Sequence, residues 1–158
     1  MKNLNPLLNR QLPKILNRIL FAIFIISILG FIDAAYLTSE HFLGGTPECS
    51  FFRGCSSVTT SRYSVIFGIP IAFLGALFYA TIFIIAMTYK EIRRFNTLIV
   101  LNGVTVVGFL VTLYLIYLQL FVINELCLYC IISALSSTML FILSAVFLMI
   151  TRKQDISK

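Results

Sequence analysis

The chain has 158 residues, of which 59% are hydrophobic and only 11% charged, against the roughly 25% charge of a soluble domain. That balance excludes an ordinary soluble enzyme and leaves no length for a second folded soluble domain. The net charge of +6 does not indicate nucleic acid, because the Lys and Arg residues cluster at the edges of apolar runs, as topology signals do.

Residues 1–18 carry Lys2, Arg10, Lys14 and Arg18 without an acid, and form a basic N-terminal segment. An apolar run from Ile19 to about Leu37 follows. Its length of about 19 residues exceeds a signal-peptide core and fits a retained membrane-crossing helix. Residues 38–64 form the one long polar stretch, with Cys49, Cys55 and a Ser/Thr-rich run, and are expected to be a functional loop.

A second span is predicted from about Val65 to Tyr89, with Pro70 near its start. Ala72, Ala76 and Ala80 recur there at four-residue spacing, which suits close helix packing. A charged turn at 90–94 leads to a third span, from about Leu98 to Val122, where Asn102 is expected to hydrogen-bond inside the bundle. Tyr114, Tyr117 and Gln119 lie near its far end, the tyrosines as interfacial residues or, as the second reading, lining a ligand pocket. After the turn 123–125 the fourth span runs from about Leu126 to Ile150, and 151–158 form a basic tail.

The expected fold is therefore all-α: an integral membrane bundle of four transmembrane helices, residues 19–150, with a long extracytoplasmic loop between helices 1 and 2. One side carries Lys2, Arg10, Lys14, Arg18, Lys90, Arg93, Arg94, Arg152, Lys153 and Lys158, the other only Arg53 and Arg62. The positive-inside rule then places both termini in the cytoplasm and all four cysteines outside.

Those cysteines form two pairs, Cys49/Cys55 in the loop and Cys127/Cys130 as a C-x-x-C at the head of the fourth span. Their unequal spacing and oxidising compartment favour disulfide chemistry over a zinc site, so no metal is expected. Cys127 sits at a helix N-terminus, where free N–H groups favour a thiolate, and Cys130 lies one turn deeper. A reachable outer pair and a fixed inner pair make a relay for disulfide exchange. With no haem motif or dinucleotide fingerprint in the chain, elimination leaves a lipid-soluble two-electron acceptor, a quinone. His41 reads as a solvated loop residue, and Asp33 and Glu125 as acids near the outer face that could supply a proton.

The run Cys55-Ser56-Ser57-Val58-Thr59-Thr60-Ser61-Arg62-Tyr63, then Phe67-Gly68-Ile69-Pro70 and Cys127-Leu128-Tyr129-Cys130, resembles the vitamin K epoxide reductase family, in particular its bacterial disulfide-forming members. The resemblance implies a four-helix bundle around a quinone (ubiquinone or menaquinone), capped by the outer loop. It implies that Cys49 forms a mixed disulfide with a thioredoxin-fold, DsbA-like partner, that Cys55 attacks or is linked to Cys127, and that Cys130 passes electrons to the quinone. Ser61 would hydrogen-bond near the active site, with Tyr63 and Cys130 also at the quinone. Tyr63 stands where members commonly carry Trp, and Ala134 where animal enzymes have a pocket tyrosine, which argues against vitamin K epoxide as substrate. The order of the two pairs is the reverse of that in the DsbB family.

The expectation is a quinone-dependent thiol-disulfide oxidoreductase of the bacterial cytoplasmic membrane, multi-pass, supporting disulfide formation in exported proteins. The alternatives are a quinone or vitamin K epoxide reductase serving quinone recycling, and a non-enzymatic membrane protein whose disulfides are static.

Overall fold

The computed structural model describes residues 6–45, 55–66, 68–92 and 94–156. Four long helices, α1 (Pro6–Leu43), α3 (Ile71–Ile92), α4 (Phe95–Tyr117) and α5 (Leu128–Ile156), make the bundle. Each contains a stretch long and apolar enough to cross a membrane. Between α1 and α3 lie a short helix α2 (Cys55–Thr59), a 3-10 turn (Arg62–Ser64) and a two-stranded ribbon, β1 (Val65–Ile66) with β2 (Ile69–Pro70).

Helix α1 runs six residues past the expected end of the first span. Thr38 and Ser39 are polar, but their hydroxyls donate to the carbonyls of Ala34 (2.7 Å) and Tyr36 (2.7 Å) one turn back, so they remain compatible with a helix. The helix stops at Gly44, whose φ of 70° only glycine adopts cheaply. The Gly45 and Gly44 N–H groups then return to the carbonyls of Glu40 (3.0 Å) and His41 (3.4 Å), the two bonds of a Schellman cap.

The second helix begins later than the hydropathy suggests. Val65 faces Pro70 and Ile66 faces Ile69 across an antiparallel pair, and Gly68 at φ 80° turns the chain between them. Pro70, without an N–H, ends the ribbon just before α3 begins. Only residues 93 and 94 separate α3 from α4, so Lys90 and Glu91 belong to the last turn of α3.

Contacts fix the helix directions. Phe24 meets Phe83, with ring centroids 5.5 Å apart, and Ala34 lies beside Gly75, so α1 and α3 run antiparallel. The Thr105 and Ser144 hydroxyls are 2.6 Å apart and the Phe109 and Phe141 rings stack at 4.8 Å, which sets α4 antiparallel to α5. Tyr79 pairs with Ser133 and Tyr89 with Phe147, making α3 and α5 parallel. The C-terminal end of α1, the ribbon, the end of α4 and the start of α5 therefore share one end of the bundle.

The core is built from Ile23 on α1, Tyr79, Ile82 and Ala86 on α3, Leu98 and Leu101 on α4, and Leu140 and Phe147 on α5. Ala76 is buried at the α1–α3 contact, in keeping with the expected close-packing role. Asn102 behaves as expected, its Oδ1 accepting from the Ser144 hydroxyl at 3.3 Å. Large apolar side chains such as Phe21, Leu29, Ile84, Leu110 and Met149 point outward, the arrangement a lipid environment stabilises.

Candidate active site

The C-x-x-C is presented by a turn whose geometry comes from the end of the third span. Helix α4 widens at Tyr117 into a π-helical turn, Leu118–Ile123, a local irregularity often found at functional sites. Asn124 follows in the left-handed region (φ 56°, ψ 28°), a conformation asparagine tolerates better than most residues.

Gln119 then holds the turn twice. Its backbone carbonyl accepts the Glu125 N–H at 3.2 Å, and its side-chain Oε1 accepts the Cys127 N–H at 3.3 Å. Sequence reasoning gave Gln119 no role. The available signal was an amide in an otherwise apolar helix end eight residues before the first cysteine, and the structure buries it.

Cys127 precedes the first residue of α5, and its carbonyl accepts the Ile131 N–H at 3.1 Å, so it caps the helix. The thiols of Cys127 and Cys130 are both free. Cys127 is pulled down to about 7, chiefly by the hydrogen bond from the Cys130 thiol and further by the N–H groups of Cys130 and Tyr129 at the helix start. Burial and the Asp33 carboxylate act in the opposite sense and lose.

Helix α2 lies over this turn. Cys55, Val58 and Cys127 form one buried cluster, with Ile123, Leu128, Tyr129 and Cys130 packed around it. Cys55 is disulfide-bonded. Cys49 lies outside the described residues, within the segment 46–54 of the loop that the sequence assigns to it. The structure thus brings Cys55, Cys127 and Cys130 together, an oxidised sulfur beside two reduced ones.

Beneath the cap a cavity of about 460 Å³ opens between the helices. Asp33 and Leu37 of α1, Ser61 and Tyr63 of the cap, and Cys130 and Ala134 of α5 all line it. Thr112 and Gln119 contribute from α4 and its π turn. The Ser61 hydroxyl donates to the Val58 carbonyl at 2.7 Å, so Ser61 shapes the cap as well as facing the cavity. Tyr63 is about half exposed at the rim.

The other candidates separate. Tyr114 and Tyr117 point outward, as expected of interfacial residues. Glu125 is exposed, whereas Asp33 faces the cavity with its Oδ2 buried and without a hydrogen-bond partner. His41 belongs to the last turn of α1 rather than to a loop, and lines the mouth of the cavity.

Two comparisons with known proteins bear on this arrangement. Residues 21–145, which include α3, α4 and both halves of the site, match the model of the vitamin K epoxide reductase family. A thiol-disulfide oxidoreductase from Arabidopsis thaliana, LTO1, is 31% identical over 121 residues, 72% of this chain. The chain spans about a third (32%) of the length of that relative. The four-helix membrane bundle, the capped cysteine turn and the matched segment together show that the chain belongs to the vitamin K epoxide reductase family.

Proposed function

We propose that the protein is a membrane thiol-disulfide oxidoreductase that takes electrons from a thioredoxin-fold, DsbA-like partner and passes them to membrane quinone, so that disulfides form in exported proteins. The observation that carries this reading is the buried cluster in which disulfide-bonded Cys55 packs with the free Cys127, while Cys130 opens onto the cavity.

Each residue has a distinct part. The partner's thiolate attacks the Cys49–Cys55 disulfide at Cys49, and the Cys55 thiol is released. Cys55 then attacks a Cys127–Cys130 disulfide at Cys127, with Cys130 leaving as the thiolate. The partner's second thiol then displaces Cys49 from the mixed disulfide, leaving the partner oxidised. The freed Cys49 resolves the Cys55–Cys127 bond at Cys55, and the low pKa of Cys127 makes it the better leaving group in that step. The outer pair ends oxidised and the inner pair reduced, matching the redox states of Cys55, Cys127 and Cys130 in the structure.

The cavity suits a quinone head. Its volume lies in the range of small-molecule sites, and its mostly apolar wall carries a few inward polar groups, among them Asp33, Ser61, Thr112 and Gln119. Ser61, Tyr63 and Cys130 would hold the ring. A quinone supplies the reaction with an acceptor for two electrons and two protons. Cys130 is the inner thiol on the cavity wall, and re-forming its bond to Cys127 releases both electrons there. The basic clusters support an orientation in a bacterial cytoplasmic membrane with the termini inside and the cysteines outside.

The test is quinone reduction followed optically in detergent-solubilised protein supplied with a reduced thioredoxin-fold protein. Wild type is expected to turn over, and Cys49→Ala and Cys130→Ala to stop. A protein that consumes no quinone while its thiols stay inert, or a Cys130→Ala variant with full turnover, would refute the relay.

A further inference from the structure

Asp33 is a half-buried carboxyl on the cavity wall that the cysteine relay leaves without a task. It sits on α1, and its Oδ2 is out of contact with solvent yet meets no hydrogen-bond donor. Buried carboxyl oxygens are ordinarily satisfied, because a bare one loses its hydration with nothing in exchange. The bare oxygen belongs to a residue on the wall of the same cavity that Cys130 lines. Asp33 is also the only carboxyl-bearing residue on that wall among the described residues.

Its surroundings are built rather than incidental. Ser133, one turn from Tyr129 on α5, shares the wall and receives the Tyr79 hydroxyl, with contacts of 2.8 Å to its carbonyl and 2.9 Å to its own hydroxyl. Tyr79 is thereby engaged with α5, and its ring fills the space where a Cβ on Gly30 would stand. Asp33, Leu37 and His41 fall at four-residue spacing on one face of α1, and all three line the cavity from its interior to its mouth. The carboxyl thus has a fixed helix behind it and a space for a ligand in front.

We propose that the Asp33 carboxyl is the proton-transfer group of the cavity, taking the proton that leaves the Cys130 thiol and giving it to a carbonyl oxygen of the bound quinone. The inference rests on the reading of the cavity as the quinone site. The step balances: the Cys127 and Cys130 thiols lose two electrons and two protons as their S–S bond forms, and the quinone takes up both electrons and both protons. Asp33 carries one of those protons and returns to its starting state. A carboxylate at the reacting oxygen is a general acid and base of ordinary kind, with an effect of about 10²–10⁴-fold.

Asp33→Asn keeps the shape and a hydrogen bond but cannot carry the proton; Asp33→Glu keeps the carboxyl. Both are measured as full-length protein in proteoliposomes, by kcat and KM for quinone and by thiol labelling of Cys127 and Cys130 during turnover. In Asp33→Asn, kcat is expected to fall about 10²-fold with KM little changed. The inner pair should accumulate as thiols while exchange between the partner and the outer pair continues. Asp33→Glu should recover much of the loss. An Asp33→Asn variant with wild-type kcat, or one whose inner pair stays oxidised during turnover, overturns the proposal while leaving the quinone reading intact. Equal loss of outer-pair exchange in both variants would mark Asp33 as a packing residue and overturn it too. If wild type exchanges thiols but consumes no quinone, the reading of the cavity fails first and the proposal falls with it.

Discussion

At the residue scale, Cys127 stands out as the thiol whose pKa is lowered. A free thiol in a membrane protein core is ordinarily a small apolar residue with a pKa of 8.5 or above. Here a hydrogen bond from the neighbouring thiol and two helix N–H groups stabilise the sulfur anion against burial, bringing it to about 7. The sign is definite: Cys127 is thiol below that pH and thiolate above it. Thiolate absorption is therefore expected to rise near pH 7 in protein whose outer pair is kept oxidised. In Cys130→Ala the largest stabilising contact is gone, so the rise should move up by a pH unit or more. An unmoved midpoint would assign the effect to the helix end alone.

At the scale of elements, the site depends on how α4 ends and how α1 meets α3. The π turn and the left-handed Asn124 bring Gln119 back toward Cys127, and the side-chain bond at 3.3 Å answers a buried N–H. Gln119→Leu removes the acceptor and is expected to cost about 1–3 kcal/mol, read as a lowered thermal midpoint together with a shifted Cys127 titration. Asn124→Gly should be tolerated, because glycine accepts positive φ, while Asn124→Val should not. The α1–α3 seam has a similar sensitivity. A Cβ at Gly30 would run into the Tyr79 ring, which also holds Ser133. Gly30→Ala is therefore expected to destabilise the bundle by about 1–3 kcal/mol and to disturb the cavity wall, measurable by thermal unfolding in detergent.

At the scale of the whole molecule, antiparallel packing gathers the C-terminal end of α1, the α2–β2 cap and the cysteine turn at one end. The α3–α4 turn and the end of α5 lie at the other. The basic residues Lys90, Arg94, Arg152 and Lys153 all belong to that second end. In a cysteine-free background, Arg94→Cys and Lys153→Cys should react with an impermeant maleimide from the same face of sealed vesicles, and Glu40→Cys from the opposite face. Labelling of Arg94→Cys and Glu40→Cys from one side would contradict the orientation.

How much of this was readable beforehand follows from which forces act locally. Hydropathy along the chain was enough for four spans, their order and the membrane class, because a bilayer demands about 20 apolar residues per crossing whatever the helices touch. The positions of Cys127 and Cys130 at a helix start were likewise local, marked by the polar turn at Asn124 and Glu125. Helix ends were less legible. Thr38 and Ser39 read as loop yet stay helical by bonding their own backbone, and Val65 and Ile66 read as membrane helix yet pair as a ribbon. Asp33 was legible as an acid near the outer face that could supply a proton, but that it, rather than Glu125, faces the cavity was not, and the bond from Gln119 to Cys127 was not legible at all. Gln119 depends on the π turn that returns Cys127 to it, and Asp33 on a cavity that α1 closes with α3, α4, α5 and the cap. Composition and pattern thus determined the solvent, the spans and the position of the C-x-x-C at the head of the fourth helix. Only the tertiary packing decided which buried polar groups face a common cavity, because burial and hydrogen-bond satisfaction belong to the assembled bundle and not to any one helix.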